Sequence, residues 1–131
     1  MSNLNVVSDI YSLFGQGNIP AIFNHLHENV EWEHDSEDYG IPWIKPGRGH
    51  AHVTRFFQAL ANIDFEQFDV LNLLEGPSQV VAVIRLGARV KSSGHEIRDL
   101  ELHLWTFDDQ GKVTRFRHVV DTHKHLAAAQ A

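Results

Sequence analysis

Residues 97–107 read IRDLELHLWTF. Successive side chains of an extended strand point to opposite faces, so the three leucines share one face. Glu101, His103, Trp105 and Phe107 share the other face. Both faces are suited to burial, and one of them groups a carboxylate and an imidazole with two aromatic rings. This strand therefore places candidate functional side chains together.

The segments on both sides of this strand also have the composition of β-strands. Residues 65–74, 79–90 and 113–120 are rich in β-branched and aromatic residues, which favour strands. Short turn sequences separate the segments: Glu75-Gly76-Pro77, Ser92-Ser93-Gly94 and residues 108–111. Connections this short join antiparallel neighbours. The sequence therefore predicts an antiparallel meander from Phe65 to Val120.

The part of the chain before the meander is mostly helical. Apolar residues at helical spacing predict helices at 3–15, 19–26 and 53–62, with a strand at Val30–His34 and a loop at 35–49. Helices followed by a meander are typical of an α+β domain. We expect three N-terminal helices to cover the concave face of a curved mixed or antiparallel sheet, which leaves a cone. Its open mouth is a natural small-molecule pocket.

Length and composition limit the other possibilities. The chain has 131 residues, which fits a single domain at 1–131, and its formal net charge is −6. This acidic balance argues against nucleic acid as a partner. The absence of cysteine excludes disulfides and thiolate chemistry. No apolar run is long enough to span a membrane, and the first residues do not resemble a signal peptide, so we expect a cytoplasmic protein.

A series of short motifs runs along nearly the whole chain. They are Val6-Val7, FGQGN at 14–18, Val30-Glu31-Trp32, Gly47-Arg48-Gly49, Phe56-Phe57, HLWTF at 103–107, Gly111-Lys112-Val113, RFR at 115–117 and Asp121-Thr122. In order and spacing they resemble the SnoaL-like and ketosteroid-isomerase-like branch of the nuclear-transport-factor-like superfamily. The resemblance implies a conical barrel, an apolar pocket with a few polar groups, and a homodimer packed through the convex sheet face. It does not specify a reaction, because the superfamily includes isomerases, polyketide cyclases, hydrolases, dehydratases and non-enzymatic members.

The resemblance also assigns positions to functional residues. The general-base aspartate of the isomerases corresponds to His34, and their proton-donating aspartate corresponds to His103. Their tyrosine falls on Ile10, with Tyr11 one residue out of register. In SnoaL-type cyclases a histidine corresponds to His103, and the catalytic aspartate lies near His118. Because the isomerase residues are not matched, steroid isomerisation is not expected.

These positions predict a histidine-based site. The candidate catalytic residues are His34, His103, His118 and Glu101. A neutral imidazole accepts and returns a proton near neutral pH, and a neighbouring carboxylate fixes its tautomer. We expect His34 and His103 to be the acid/base pair, with Glu101 orienting His103. The candidate ligand-binding residues are Tyr11, Trp32, Trp43, Phe57, Trp105, Phe107 and Phe116.

Two functions remain open. One is an enzyme of isomerase, polyketide cyclase or hydrolase type that acts on a hydrophobic carbonyl or epoxide compound. The other is a non-catalytic module of the same fold that binds a small ligand or serves as a dimeric interaction domain. In that case the histidines form hydrogen bonds that stabilise the fold and take no part in a reaction. We expect no cofactor and no metal, although histidine and glutamate are suitable ligands for zinc or non-haem iron.

The remaining histidines are expected outside the cone. Residues two apart on a helix lie on different faces, so His25, His27, His123 and His125 are expected on solvated helix surfaces. His50 and His52 are expected near the mouth. For Asp121 both a role as helix cap and a catalytic role remain open.

Overall fold

The predicted meander forms most of one curved, unclosed sheet in the computed structural model, which describes residues 1–130. Its strands are β1 (Leu26–Trp32), β2 (Gly47–Arg48), β3 (Ile63–Glu75), β4 (Gln79–Val90), β5 (Glu96–Phe107) and β6 (Val113–Val119). Their order across the sheet is β2-β1-β6-β5-β4-β3. Neighbours pair antiparallel except β1 and β6, which are parallel. The expectation of a mixed sheet is therefore confirmed.

The helices pack against this sheet. They are α1 (Asn3–Gly15), α2 (Ile19–Ile22), α3 (Gly49–Leu60) and α4 (Thr122–Ala129), and a 3₁₀ turn at Phe23–His25 joins α2 to β1. α1 contacts β3 and β4, α3 contacts β1, and α4 contacts β5. The α+β class is confirmed, but the prediction of three helices omits α4. That helix follows the last strand, and His125 and Ala128 on it are buried.

Local sequence explains the helix positions. The Ser2 side chain caps α1 by accepting a hydrogen bond from the Asn5 amide, and Val6, Val7 and Ile10 form the buried stripe. The chain turns after α1 at Gly17, whose φ of 73° suits glycine. The second predicted helix is shorter than expected, because the chain becomes extended at Leu26 and starts β1.

The two sheet faces differ in composition. On β4 and β5, alternate side chains are buried, as the two-residue period predicts. The inward set includes Ile84, Glu101, His103 and Trp105. The outward set leaves apolar side chains such as Leu100 exposed. None of the helices within residues 1–130 is long and apolar enough to cross a membrane.

Candidate functional site

The concave side of the sheet and the helices enclose a cavity of about 80 Å³. A water molecule needs roughly 10–15 Å³ of such space, so the cavity accommodates a small organic ligand. Its wall is mostly apolar and aromatic. The polar side chains in the wall are Tyr11, Glu101, His103, His118 and His125, together with the indole N–H groups of Trp32, Trp43 and Trp105.

Strand register brings the polar side chains together. His103 on β5 lies opposite His118 on β6, and Trp105 lies opposite Phe116. Residues directly opposite each other on antiparallel strands share a face and are in contact. The two histidine rings are 4.6 Å apart between centroids. The polar groups therefore lie at one place in an otherwise apolar cavity.

His103 is held at both ring nitrogens. Tyr11 Oη lies 2.6 Å from Nδ1, and Glu101 Oε1 lies 3.0 Å from Nε2. The Trp105 indole donates to Tyr11 Oη over 3.0 Å, so the tyrosine has its own proton left to donate to His103. His103 in turn donates its Nε2 proton to Glu101. This chain of hydrogen bonds fixes the tautomer of His103.

The protonation states of Tyr11, His103 and Glu101 agree with the directions of these hydrogen bonds. Burial raises the pKa of Tyr11 far above its ordinary value, so its hydroxyl stays protonated. Burial also lowers the pKa of His103, and the opposing hydrogen bond to Glu101 does not restore it. For Glu101, burial raises the pKa, but the contacts with His103 and His125 outweigh it and hold that pKa well below its ordinary value. Near neutral pH, the three groups are a phenol, a neutral imidazole and a carboxylate.

His118 is held by a residue that sequence reasoning misses. Glu33 Oε2 lies 2.6 Å from His118 Nδ1, and Glu33 Oε1 accepts from the His118 amide over 2.8 Å. Glu33 is only 1% exposed, because the chain leaves β1 after Trp32 with φ of 53° at Glu33, and the carboxylate lies inside. No local signal in the sequence indicates this turn, since a non-glycine residue with positive φ is uncommon.

The Glu33 carboxylate also sets the charge of His118. Burial lowers the pKa of His118, but the charge of Glu33, its hydrogen bond and the charge of Glu101 outweigh that effect and raise the pKa above its ordinary value. Nδ1 is occupied by Glu33, and no partner for Nε2 occurs within residues 1–130. His118 thus has one ring nitrogen available to a ligand.

His125 corrects another expectation. Helical spacing predicts a solvated position for it, but its side chain is 3% exposed and lines the cavity. The Trp43 indole donates to His125 Nδ1 over 3.0 Å. On the other side of the ring, Nε2 lies 3.5 Å from Asp99 Oδ2 and 3.6 Å from Glu101 Oε2. The prediction is wrong because α4 packs on β5, a tertiary contact that helical periodicity alone does not reveal.

Two predicted site residues lie outside the cavity. His34 is expected to point inward on the first strand, but β1 ends at Trp32 and the turn at Glu33 breaks the two-residue alternation. The His34 ring instead lies at the surface, 2.9 Å from Glu31 Oε2. Phe107 is buried in the core but is not part of the cavity wall, and the pairing of β5 with β6 shifts register just before it.

The other predicted site residues line the cavity together. They are Glu101, His103, His118, Tyr11, Trp32, Trp43, Phe57, Trp105 and Phe116. Asp121 occupies the position before α4, but its side chain makes no capping hydrogen bond. His50 and His52 bond to the carbonyls of Leu26 and Lys45 and are not part of the wall.

Two groups of side chains consist of residue types that bind metal ions. Glu101, His103 and His118 form one, and Asp99, Glu101 and His125 form the other, with potential ligand atoms within 4.8 Å of one another in each group. A metal-bound imidazole nitrogen carries no proton. His103 and His125 each accept at Nδ1, which leaves their proton on Nε2, the nitrogen nearest Glu101. A metal ion in either group would therefore have to displace an Nε2 proton that faces Glu101.

Comparisons with known proteins agree with this architecture. The SnoaL-like domain family matches residues 7–116. No curated protein sequence matches the chain. An NTF2-like protein from Burkholderia xenovorans LB400 has a similar solved structure, with a TM-score of 0.84, 23% identity, and coverage of 98% of this chain and 95% of the other.

Two further solved structures carry names that mention chemistry. One is TerC co-crystallised with polyporic acid, with a TM-score of 0.77, 21% identity and coverage of 98% of both chains. The other is a candidate polyketide cyclase from Pseudomonas putida KT2440, with a TM-score of 0.80, 13% identity and coverage of 99% of both chains. At these identities the likeness extends to the fold alone. The family match spans most of the sequence, and the chain belongs to the SnoaL-like domain family.

Proposed function

We propose that this chain is a small-molecule enzyme that transfers a proton on a hydrophobic ring compound containing a carbonyl or epoxide oxygen. The reaction is of the isomerase, polyketide cyclase or hydrolase type. His118 is the acid/base group, and Glu33 orients it. One observation carries this proposal: His118 lines the cavity with Nδ1 bound to the buried Glu33 carboxylate and with Nε2 available.

The geometry of this pair suits proton transfer. A carboxylate at one imidazole nitrogen fixes the ring and stabilises its protonated form, as in other base–orienter pairs. Protonated His118 can donate its Nε2 proton to the oxygen of a bound substrate. Neutral His118 can accept a proton from the carbon next to a carbonyl or from water. Glu33 raises the pKa of His118 above the ordinary histidine value, which favours the protonated form that can donate to a substrate oxygen.

The wall of the cavity supports a substrate with an acceptor oxygen. Trp32 lines the cavity, and its buried Nε1 has no hydrogen-bond partner within residues 1–130. Protonated His118 supplies a second donor. A carbonyl or epoxide oxygen accepts from such donors. The ring of Trp32 also stacks on Phe116, with centroids 4.3 Å apart, and this aromatic wall suits a ring-containing ligand.

His103 has a different role in this proposal from the one its sequence position suggests. Its ring nitrogens contact Tyr11 and Glu101, so neither is free to exchange a proton with a substrate. We assign His103 as a positioning residue, which packs beside the His118 ring at a centroid distance of 4.6 Å. Relatives of the same fold that are named for polyketide cyclisation support the general class of chemistry.

A ligand-binding module without catalysis is the second candidate. It is favoured by the hydrogen bonds at both ring nitrogens of His103, which leave that histidine no nitrogen for proton transfer. The two functions differ in one measurable property. A binding module holds a ketone without changing the rate at which its α-protons exchange with solvent.

The test uses 2-indanone in D₂O, with loss of the α-proton NMR signal as the readout. The wild-type chain is expected to accelerate exchange. His118→Asn keeps a donor at the position of Nδ1 for Glu33 and removes Nε2, so it should slow exchange by about 100-fold or more. His95→Asn, at an exposed position just before β5, is the matched control and should retain the wild-type rate.

Two results would contradict the proposal. One is a wild-type chain that binds 2-indanone, seen by shifts in the tryptophan N–H signals, without accelerating exchange; this result favours the binding module. The other is acceleration that persists in His118→Asn, which assigns the proton transfer to a different group.

A further inference from the structure

His125 connects α4 to the cavity wall, and it lies beyond residue 116, where the family match ends. Its side chain is 3% exposed. Trp43, from the loop between β1 and β2, donates to its Nδ1. The Nε2 atom and Glu101 Oε2 are both buried, are 3.6 Å apart, and have no hydrogen-bond partner within residues 1–130. His125 Nε2 therefore faces two carboxylates, Glu101 at 3.6 Å and Asp99 at 3.5 Å, and is hydrogen-bonded to neither.

Two tryptophans determine where the protons lie in this part of the site. An indole N–H only donates, so Trp43 requires His125 Nδ1 to be unprotonated and leaves the neutral ring its proton on Nε2. At the other end, Trp105 donates to Tyr11, Tyr11 donates to His103, and His103 donates to Glu101. Both histidines thus present an N–H group to the same carboxylate, one at each oxygen.

The other charged groups near the cavity do not balance the negative charge of this carboxylate. Glu33 is paired with His118. Asp99 is held by other groups, because its Oδ2 accepts from the Asp121 amide over 3.0 Å and its Oδ1 lies 3.8 Å from Lys124 Nζ. No lysine or arginine occurs in the cavity wall within the part of the chain that the structure describes. Even when His118 is protonated, its single positive charge lies beside two carboxylates, Glu33 and Glu101, so the polar end of the cavity keeps a net negative charge that disfavours an anion.

We propose that His125 is a positioning residue that, together with His103, holds Glu101 as a fixed anion, and that the cavity therefore binds uncharged or cationic ring compounds and excludes anions of the same shape. This inference rests on the proposed function only in taking the cavity as the ligand site. It restricts the charge of the substrate as well as its shape.

The test compares three ligands of one shape by NMR titration near neutral pH: benzyl alcohol, benzylammonium and benzoate. In the wild-type chain, benzoate should bind at least about tenfold more weakly than benzyl alcohol, and benzylammonium at least as tightly. His125→Phe removes the Nε2–H group that faces Glu101 and should reduce the discrimination against benzoate severalfold. His125→Gln supplies an amide that can accept from Trp43 and donate to Glu101, and it should restore the wild-type order.

Ser93→Ala is the control for the attachment of α4. The Ser93 hydroxyl donates to the Ala128 carbonyl over 2.7 Å and does not touch Glu101. This variant should keep the discrimination against benzoate. Loss of discrimination in Ser93→Ala as large as in His125→Phe would assign the effect to helix docking and overturn the positioning role.

A second measurement does not depend on folding of a variant. In long-range ¹H–¹⁵N spectra of the wild-type chain, His125 and His103 should both appear as the neutral Nε2–H tautomer. An Nδ1–H tautomer at His125, or benzoate binding as tight as benzyl alcohol, overturns the proposal. Because these experiments measure binding and tautomers, their outcome is independent of whether the chain catalyses exchange.

Discussion

Glu33 and His118 are 85 positions apart in sequence, and one carboxylate accepts two hydrogen bonds from the same histidine, at its Nδ1 and at its backbone amide. The carboxylate is almost fully buried, and the backbone that delivers it has φ of 53°. Such a conformation costs free energy at a non-glycine residue and persists only where the surrounding contacts determine it. This pair joins the end of β1 to β6 and orients a cavity imidazole whose Nε2 is available to a ligand.

Replacing Glu33 by Gln should destabilise the fold and change the charge of His118. Removing one partner of a buried ion pair typically costs about 3–5 kcal/mol, although the amide of Gln retains part of the hydrogen bonding, so we expect about 2–4 kcal/mol. Without the carboxylate, burial should lower the pKa of His118 below its present raised value. Urea unfolding gives the first quantity, and NMR titration of the His118 ring gives the second. A variant with wild-type stability would contradict the assigned burial of this pair.

The free energy of unfolding should be greatest near pH 6.5. The pKa of His118 is raised above its ordinary value of 6.5, so its contribution is complete below pH 6.5 and is lost as pH rises through the folded-state pKa. The pKa of His103 is lowered, so the unfolded chain binds this proton more readily, and stability falls as pH decreases below 6.5.

Variants separate the two limbs of this pH profile. His118→Asn should flatten the alkaline limb, and His103→Gln should flatten the acid limb. A difference of one pH unit between the folded-state and unfolded-state pKa corresponds to about 1.4 kcal/mol of stability. Urea unfolding measured across this pH range provides the comparison. A stability curve that rises steadily from about pH 6 to about pH 9 would be inconsistent with the charge of the His118–Glu33 pair.

Removing the buried Tyr11 hydroxyl should lower the stability of the fold much more than removing an exposed tyrosine hydroxyl. Tyr11→Phe leaves the Trp105 indole N–H and His103 Nδ1 without partners in a buried site, which costs about 1–3 kcal/mol. Tyr39, which is 46% exposed, gives the matched control, and Tyr39→Phe should change stability by less than about 0.5 kcal/mol. Thermal or urea unfolding of both variants makes the comparison. Equal effects would argue against the hydrogen-bond chain.

We propose that the convex sheet face forms a homodimer. Its strands present outward apolar side chains, and Leu74, Leu100 and Val119 are each about half exposed. Exposed apolar side chains among charged ones, such as Arg85 and Arg117 on the same face, are typical of an interface between subunits. Sedimentation velocity should give twice the chain mass of 14.9 kDa, and Leu100→Glu combined with Val119→Glu should give the monomer. A wild-type chain that remains monomeric at high concentration would contradict the proposal.

Much of the architecture could be predicted because local patterns determine it. The two-residue alternation at 97–107 predicts Glu101, His103 and Trp105 on one buried face, and the structure has them there. The turn sequences between strands correctly separate β3, β4, β5 and β6. These features depend on neighbours in sequence, and the pattern of apolar residues records them directly.

The features that could not be predicted depend on contacts between distant segments. The inward turn at Glu33 ends the alternation that would otherwise place His34 in the cavity. The burial of His125 depends on docking of α4 against β5 and on Trp43, 82 positions away. A histidine on a short helix has the same local pattern whether its helix docks or is solvated, so tertiary packing determines its role.

The most direct test of His118 as the acid/base group is the pH dependence of α-proton exchange of bound 2-indanone, measured for the wild-type chain and for Glu33→Gln. We predict that the wild-type rate depends on a single group whose pKa lies above 6.5, the ordinary histidine value, and that this pKa falls in Glu33→Gln. A wild-type profile without such an inflection, or an inflection that Glu33→Gln leaves in place, would contradict the assignment of His118.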